Sequence, residues 1–496
     1  MEQPKFDPAR EREFIARGWW RDDTLSAWLA THAQRRARAP ALAWQDGTLT
    51  WAQLQDRVLR AAAGLRRRGV QRGDVVAVQL PNSAEFVISY LAICRLGAAM
   101  CTLHMPYRHA EIEALMRHGK ARLAVCLPDR KEMFGAAGIA FDDIPDDELL
   151  EQNHPHPDAA DVFLLLYTSG TTAAPKGVPH PYRTMLSNAR LGAPEHKLDS
   201  RDRVMSAAPL SHLYGLYSLH CAWAVGACTV LLPAFSPPEL VSAIEKIKPT
   251  ALWTAPAHVA ACRAAGLFDE RDWSSLKLAI VSGSSAPPEL IRFFKERLQS
   301  CAVTQLWGMT ELQAGLYTRP SDPLQVSAAT SGRPSPGTEI RLSAENEIEV
   351  RGVPLFAGYL DNEQANREAF TADGWFRSGD LGQMDGAGNV AITGRSKDVI
   401  NRGGVKFNPA EVEMLLDSHP KILQSAIVPM PDAILGEKAC VFVALRSPGE
   451  ISLQEVVDYL LEKNIAKNKL PEKLVVVAEM PLTPTRKVIK GKLKLP

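Results

Sequence analysis

Strand-like apolar runs such as "DVVAVQL" (Asp74 to Leu80) and "ACTVLL" (Ala227 to Leu232) alternate along the chain with helix-like ones such as "SAEFVISYLAICRLG" (Ser83 to Gly97). Runs of both kinds need covering layers, so the alternation predicts an α/β architecture. In the last of them "PNSAE" supplies an Asn/Ser cap ahead of the apolar periodicity, with Pro81 before it. At 496 residues the chain exceeds one ordinary core, and about 150 residues per domain suggests roughly three units. No internal repeat or low-complexity tract interrupts it.

The strongest change of composition comes late. After "GWFRSGDLG" (Gly374 to Gly382) follow "MDGAGNV", a turn between short strands, and "GRSKDVINRGG" (Gly394 to Gly404), rich in charge and glycine. Beyond it, "PAEVEMLLDSHP", "ACVFVAL" and "LQEVVDYLLEKNI" make an α/β module of domain size. The expected organisation is a large N-terminal body of layered α/β subdomains, residues 1–394, a hinge at 395–400 and a small mobile α+β lid at 401–496.

Charge excludes several functions. With 57 Lys+Arg against 56 Asp+Glu, no bulk field draws the chain to nucleic acid or an anionic membrane. Arg66, Arg67 and Arg68 precede Gly69 at the end of a helix-like stretch, where cations complement the helix dipole and Gly supplies the stop. Eight cysteines without a CxxC pair or zinc-like His spacing read as buried, reduced thiols of a cytoplasmic protein. "MEQPKFDPAR" has charges where a signal peptide would carry its apolar core. The longest apolar run, Cys221 to Phe235, is shorter than the ~18 residues a membrane helix needs and contains a proline.

One segment carries chemistry. "FLLLYTSGTTAAPKGV" (Phe163 to Val178) sets an apolar strand before a loop of small and hydroxyl residues that ends in a lysine. Such a composition makes a plain turn in many proteins. It also suits an anion, because Gly170 admits backbone N–H groups, Thr168, Ser169, Thr171 and Thr172 add hydroxyls, and Lys176 adds a cation. The spacing is not GxxxxGK[ST], which disfavours a Walker-type ATPase.

The loop "YTSGTTAAPKGV" resembles the signature of the adenylate-forming superfamily, which includes acyl-CoA synthetases, aryl-CoA ligases, peptide-synthetase adenylation domains and luciferase. The likeness continues in order through "PLSHLYG" (Pro209 to Gly215), "VSGSSAPPEL" (Val281 to Leu290), "QLWGMTE" (Gln305 to Glu311), "GWFRSGDLG", "GRSKDVINRGG" and "PLTPTRKVIKGKL" (Pro481 to Leu493). It implies an acid:CoA ligase that uses ATP, Mg2+ and CoA. Acid and ATP would give acyl-adenylate and pyrophosphate, and transfer to the CoA thiol would give acyl-CoA and AMP. The sequence is nearest in manner to synthetases for aryl, alicyclic and medium-length acids.

Roles follow from the same resemblance. The Thr168 to Lys176 loop would hold the β- and γ-phosphates, with Lys176 contributing to catalysis. Glu311 would ligate Mg2+, with Thr310 beside the phosphates, although a Thr-Glu pair by itself reads as a helix cap. Asp380 would bind the ribose hydroxyls and Arg395 the ribose and phosphate; Trp307 would stack on adenine. Gln305 and the Gly283, Ser284, Ser285 and Ala286 backbone would meet the adenine edge, with Gly308 and Met309 in the same nucleotide wall. Lys487 would bridge the attacking carboxylate and the α-phosphate, and Lys397 would be the pivot that withdraws it. His212, Tyr214, Ser282, Gly308 and the Gln313 to Gly315 stretch fall in the acid pocket, and Gly403 and Gly404 along the pantetheine path.

Ala173 and Arg486 stand where the family has glycine. Neither change removes a phosphate donor; Arg486 bears on lid geometry. Two other functions fit the same residues: loading an acyl or aryl group onto a carrier-protein phosphopantetheine, and nucleotide binding without catalysis. Oligomeric state is left open.

Overall fold

Two sheets built mainly of parallel strands carry the N-terminal part of the chain in the computed structural model, which describes residues 6–168, 175–269, 271–483 and 487–495. Ser169, Gly170, Thr171, Thr172, Ala173 and Arg486 therefore lie outside the described residues. One sheet has six strands, in the order Gly138–Ala140, Ala121–Cys126, Val75–Gln79, Ala99–Thr102, Val162–Tyr167 and Gly177–Pro181. The other has nine: from Arg333–Pro334 it passes through Leu316–Tyr317, Ala302–Trp307, Leu278–Val281, Ala251–Thr254, Arg203–Ser206, Cys228–Val230 and Pro40–Trp44 to Gly47–Thr50.

Covered parallel strands are apolar on both faces, and Val75–Gln79 and Leu278–Val281 are buried at every position. The expected helix spans Ala84–Arg95, with the Ser83 hydroxyl accepting the Phe86 N–H. Only Glu85 of that helix escapes burial, as befits a helix lying inside a core and not on its surface. The three arginines close the helix Trp51–Arg67 and pair with an acidic stretch, Arg66 with Glu151 and Arg67 with Asp147. All eight cysteines are free and buried. No described helix is long and apolar enough to cross a membrane.

A four-stranded antiparallel sheet follows, Thr338–Leu342, Glu347–Gly352, Phe376–Met384 and Val390–Arg395. The "MDGAGNV" turn joins the last two, with Asp385 Oδ1 accepting the N–H groups of Ala387 and Asn389. The remaining sheet orders Val405–Phe407, Ile400–Arg402, Gly436–Leu445 and Ile422–Asp432, and Lys473–Val477 runs parallel beside Gly436–Leu445. Its core is its own: Ile400, Val412, Leu416, Val441, Val456 and Leu460 bury against one another, the last five from the helix Pro409–Leu416, the strand Gly436–Leu445 and the helix Leu453–Glu462.

Candidate active site

A cleft of about 1320 Å³ opens between these layers, walled by the ends of body strands on one side and by the helix Pro409–Leu416 and the Lys487 hairpin on the other. Every predicted residue within the described chain lines it except Ala314, Gly315, Gly403 and Gly404. Ala314 and Gly315 lie buried behind Gln313, and a Cβ on Gly315 would meet the Trp307 ring at 2.8 Å. Gly403 and Gly404 form the exposed turn between Ile400–Arg402 and Val405–Phe407.

The strands Val162–Tyr167 and Gly177–Pro181 pair antiparallel and hold the neck of the phosphate-loop candidate. Thr168 N–H donates to the Lys176 carbonyl at 3.0 Å, and Lys176 N–H donates to Thr168 Oγ1 at 3.2 Å. The Lys176 ammonium then lies over the Tyr359 ring, 4.6 Å from its centroid. Beyond that ring, the Tyr359 hydroxyl donates to Glu311 Oε1 at 2.8 Å.

Glu311 is 5% exposed and sits in a turn, so the helix-cap reading of the Thr-Glu pair does not hold. Desolvation raises its pKa, while the Tyr359 hydrogen bond and the charges of Lys176 and Arg395 pull it down. A buried carboxylate with one oxygen engaged by Tyr359 is a fitting ligand for a hard divalent cation. No group of three His, Cys, Asp or Glu side chains able to cage a metal occurs among the described residues. That donor set suits Mg2+, which is commonly held by one or two carboxylates, phosphate oxygens and water.

Asp380 is gripped on both oxygens. Trp307 Nε1–H donates to Oδ2 at 2.8 Å, and Arg395 Nε–H to Oδ1 at 2.9 Å. The preceding Gly379 N–H donates to Glu347 Oε1 at 2.8 Å, which fixes the turn that presents the aspartate. Trp307, predicted as a stacking ring, is also core: it ends the strand Ala302–Trp307 and packs with Val178, Leu312 and Leu316. Gln305 donates Nε2–H to the Ser327 carbonyl at 2.6 Å, so its amide oxygen is the atom left for a ligand.

His212 caps the helix Leu213–Ala224, its Nδ1 accepting the Tyr214 N–H at 3.2 Å. The ring proton is therefore on Nε2. Desolvation, the stacked His104 and the Lys487 charge push its pKa down to about 3, so the ring is neutral. The Tyr214 hydroxyl is spent on the carbonyls of Ile280 and Thr254, at 2.8 and 3.2 Å. Gly308 admits no side chain, since a Cβ there would lie 1.8 Å from the Gln313 carbonyl oxygen.

Lys487 stands on a hairpin closed by the Leu482–Val488 bridge. Its N–H donates to Thr483 Oγ1 at 3.0 Å, and Thr483 N–H donates to its carbonyl at 2.8 Å. Although exposed as a residue, Lys487 lines the cleft. Desolvation and Arg395 lower its pKa against the opposing pull of Asp380 and Glu311. Lys490, three residues on, reaches Glu413 at 2.7 Å and Asp398 at 3.8 Å. Lys397 lies beside that aspartate in the short turn Ser396–Asp398.

Among the cleft residues that went unnoticed in the sequence are Tyr217, Glu347 and Tyr359. Tyr217 follows Tyr214 at helical spacing, a signal that was present. Glu347 and Tyr359 reach the cleft only through pairings made by distant parts of the chain.

The family model described as AMP-binding enzyme matches residues 29–360, and that described as AMP-binding enzyme C-terminal domain matches residues 411–487. The chain is 32% identical over 532 residues to pyochelin synthase PchD of Pseudomonas aeruginosa, covering 99% of this chain and 95% of that protein. It is 29% identical over 528 residues to the medium-chain fatty-acid–CoA ligase of Escherichia coli, covering 99% and 93%. Among solved structures it resembles the anthranilate CoA ligase AuaEII in complex with anthranoyl-AMP, with TM-score 0.87, 26% identity and 96% of each chain covered.

Proposed function

The chain belongs to the AMP-binding enzyme family, and from that premise we propose how its cleft turns a carboxylic acid into a thioester. It is an AMP-forming acid–thiol ligase of the acyl-CoA synthetase kind, working with ATP, Mg2+ and CoA. A carboxylate oxygen attacks the α-phosphorus of ATP, the bond to the β-phosphate oxygen breaks, and pyrophosphate leaves. The CoA sulfur then attacks the acyl carbon of the adenylate, AMP departs, and the thiol proton is lost.

One observation carries the assignment of roles. Lys487 lines one cleft together with His212, Asp380, Arg395 and Glu311. An ammonium so placed offsets the repulsion between an acid carboxylate and an α-phosphate, a repulsion that positioning and electrostatics must overcome. Around it, Asp380 and Arg395 would receive the ribose, Trp307 the adenine face and the Gln305 oxygen the adenine amine. Thr168 and Lys176, with Ser169, Gly170, Thr171 and Thr172, would receive the β- and γ-phosphates. Glu311 would hold Mg2+, which supplies charge neutralisation at the phosphates. His212, neutral and protonated on Nε2, would donate to the acid's carboxylate beside Tyr214, Ser282 and Gly308.

Residues 1–394 are the body, 395–400 the hinge and 401–496 the lid on this reading. Lys487 inside the cleft and Gly403 and Gly404 outside it are the arrangement suited to adenylation. Eight buried free thiols favour a reducing cytoplasm. The test is mass spectrometry on the purified protein with ATP, Mg2+, CoA and a panel of aryl, alicyclic and linear acids. Acyl-CoA with stoichiometric AMP is expected. An adenylate discharged only by a carrier protein would move the acceptor from CoA to that carrier, and nucleotide binding without turnover on a broad panel would defeat the catalytic reading.

A further inference from the structure

Lys176 and Glu311 approach one ring from two ends without meeting. The ammonium lies 4.6 Å from the Tyr359 centroid, and the Tyr359 hydroxyl reaches Glu311 Oε1 at 2.8 Å. No ion pair joins the lysine to the carboxylate, both among the described residues, since each meets the tyrosine instead, although the lysine's charge eases ionisation of Glu311. Opposite charges in a poorly solvated site attract more strongly than in water, so something must hold them apart.

The ring is well placed to do so and cannot easily move. Tyr359 N–H donates to Asn366 Oδ1 at 2.6 Å, and its carbonyl accepts from Asn366 Nδ2 at 3.0 Å. Leu360 N–H ties the next residue to the Gly177 carbonyl at 2.9 Å, beside Lys176 itself. The ring meets Phe356 edge-on, with centroids 4.8 Å apart. A purely structural tyrosine accounts for that packing but not for opposite charges at the ring's face and hydroxyl.

We propose that Tyr359 is a spacer that prevents Lys176 and Glu311 from pairing, so that the cation stays open to a polyphosphate and the carboxylate to its counter-cation. The second half of that statement rests on the proposed nucleotide site; the spacing does not.

Limited acetylation of the full-length, ligand-free protein, with Lys176 quantified by peptide mass spectrometry, reads the spacing without turnover. Tyr359→Phe keeps the ring and is expected to label Lys176 within about twofold of the wild type, since the face that the ammonium rests on is unchanged. Tyr359→Leu lets the pair close, and labelling should slow about tenfold because a neighbouring carboxylate favours the unreactive ammonium. Adding Glu311→Gln to the leucine variant should restore the wild-type rate. Tyr359→Met serves the same purpose if the leucine variant does not fold. Wild-type labelling in the leucine or methionine variant, or slow labelling that persists with Glu311→Gln, overturns the spacer.

Titration with Mg·ATP separates the two halves of the proposal. A dissociation constant about tenfold higher in the leucine variant supports both, since an ion pair would have to break before ligand bound. The expected labelling with unchanged Mg·ATP affinity overturns the role assigned to the two charges. Absence of Mg·ATP binding in every form, with labelling as expected, counts against the nucleotide site and leaves the spacer standing.

Discussion

Lys176 and Lys487 come from opposite ends of the fold, yet the same small device presents each. A threonine opens the loop, donates its N–H to the lysine's carbonyl and accepts the lysine's N–H on its hydroxyl: Thr168 for Lys176, Thr483 for Lys487. With the backbone fixed at the neck, only the side chain is left to reorient. Because Lys487 enters the cleft from the lid, Lys487→Ala should lower adenylation, followed by pyrophosphate exchange, by about a hundredfold or more, in line with loss of a charge that acts in the transition state. Thiol transfer from a supplied acyl-adenylate should stay within a few-fold, and equal loss in both half-reactions would refute the division. Gly308→Ala should behave differently. Its Cβ would meet backbone, the Gln313 carbonyl at 1.8 Å, so the turn must shift; overpacking of this kind costs about 1–3 kcal/mol, visible as a lower melting temperature together with weaker ATP binding.

At the scale of elements, the joint between body and lid turns on one contact. Gly394, the penultimate residue of the strand Val390–Arg395, has φ +149°, and a Cβ there would lie 1.8 Å from Asn408 Nδ2. Asn408 in turn caps the helix Pro409–Leu416, Oδ1 accepting the Ala410 N–H at 3.1 Å. Gly394→Ala should therefore unseat that helix from the body, lowering pyrophosphate exchange about tenfold through strain in a backbone region that side chains avoid. Thiol transfer measured separately should change little; equal losses would mean the contact is needed in both stances. The sequence announced the glycine-rich joint and the module that begins with "PAEVEMLLDSHP" but neither the Asn408 cap nor its meeting with Gly394. Legible features were local: apolar runs that became Val75–Gln79 and Ala84–Arg95, Ser83 as a cap, the turn at Asp385. What stayed hidden depended on long-range pairing, such as Tyr359 between Lys176 and Glu311, or Trp307 serving as core and as Asp380's hydrogen-bond donor at once. The nucleotide and acid roles proposed for the cleft rest on resemblance alone, since an isolated lysine near a chain end or a Gly-Asp turn carries no such message.

Across the whole molecule, buried neutral histidines govern how the protein meets acid. Desolvation pushes the pKa of His104 down to about 4 and those of His180, His196 and His220 down to about 3. An unfolded chain takes up protons at these residues near pH 6.5 while the folded one refuses them. Stability is thus full above that pH and lost as pH falls through 6.5 toward 4, by about 1.4 kcal/mol per pH unit for each proton taken up on unfolding. Melting temperature should drop steeply in that window, and His196→Gln should flatten the drop; a profile unchanged from pH 7 to 4.5 would contradict it. Within that window the folded rings stay neutral, so His180 keeps its hydrogen bond to the Thr310 carbonyl at 2.8 Å and His220 its contact with Gln313 at 3.2 Å until the chain unfolds. Lys490 adds a matter of timing. By reaching Glu413 and Asp398 together it ties the Lys487 hairpin to the helix Pro409–Leu416 and to the short turn Ser396–Asp398, so that on the proposed reading the lysine would leave the cleft only with the whole C-terminal domain. The two half-reactions would then keep one clock, each molecule performing them in alternation.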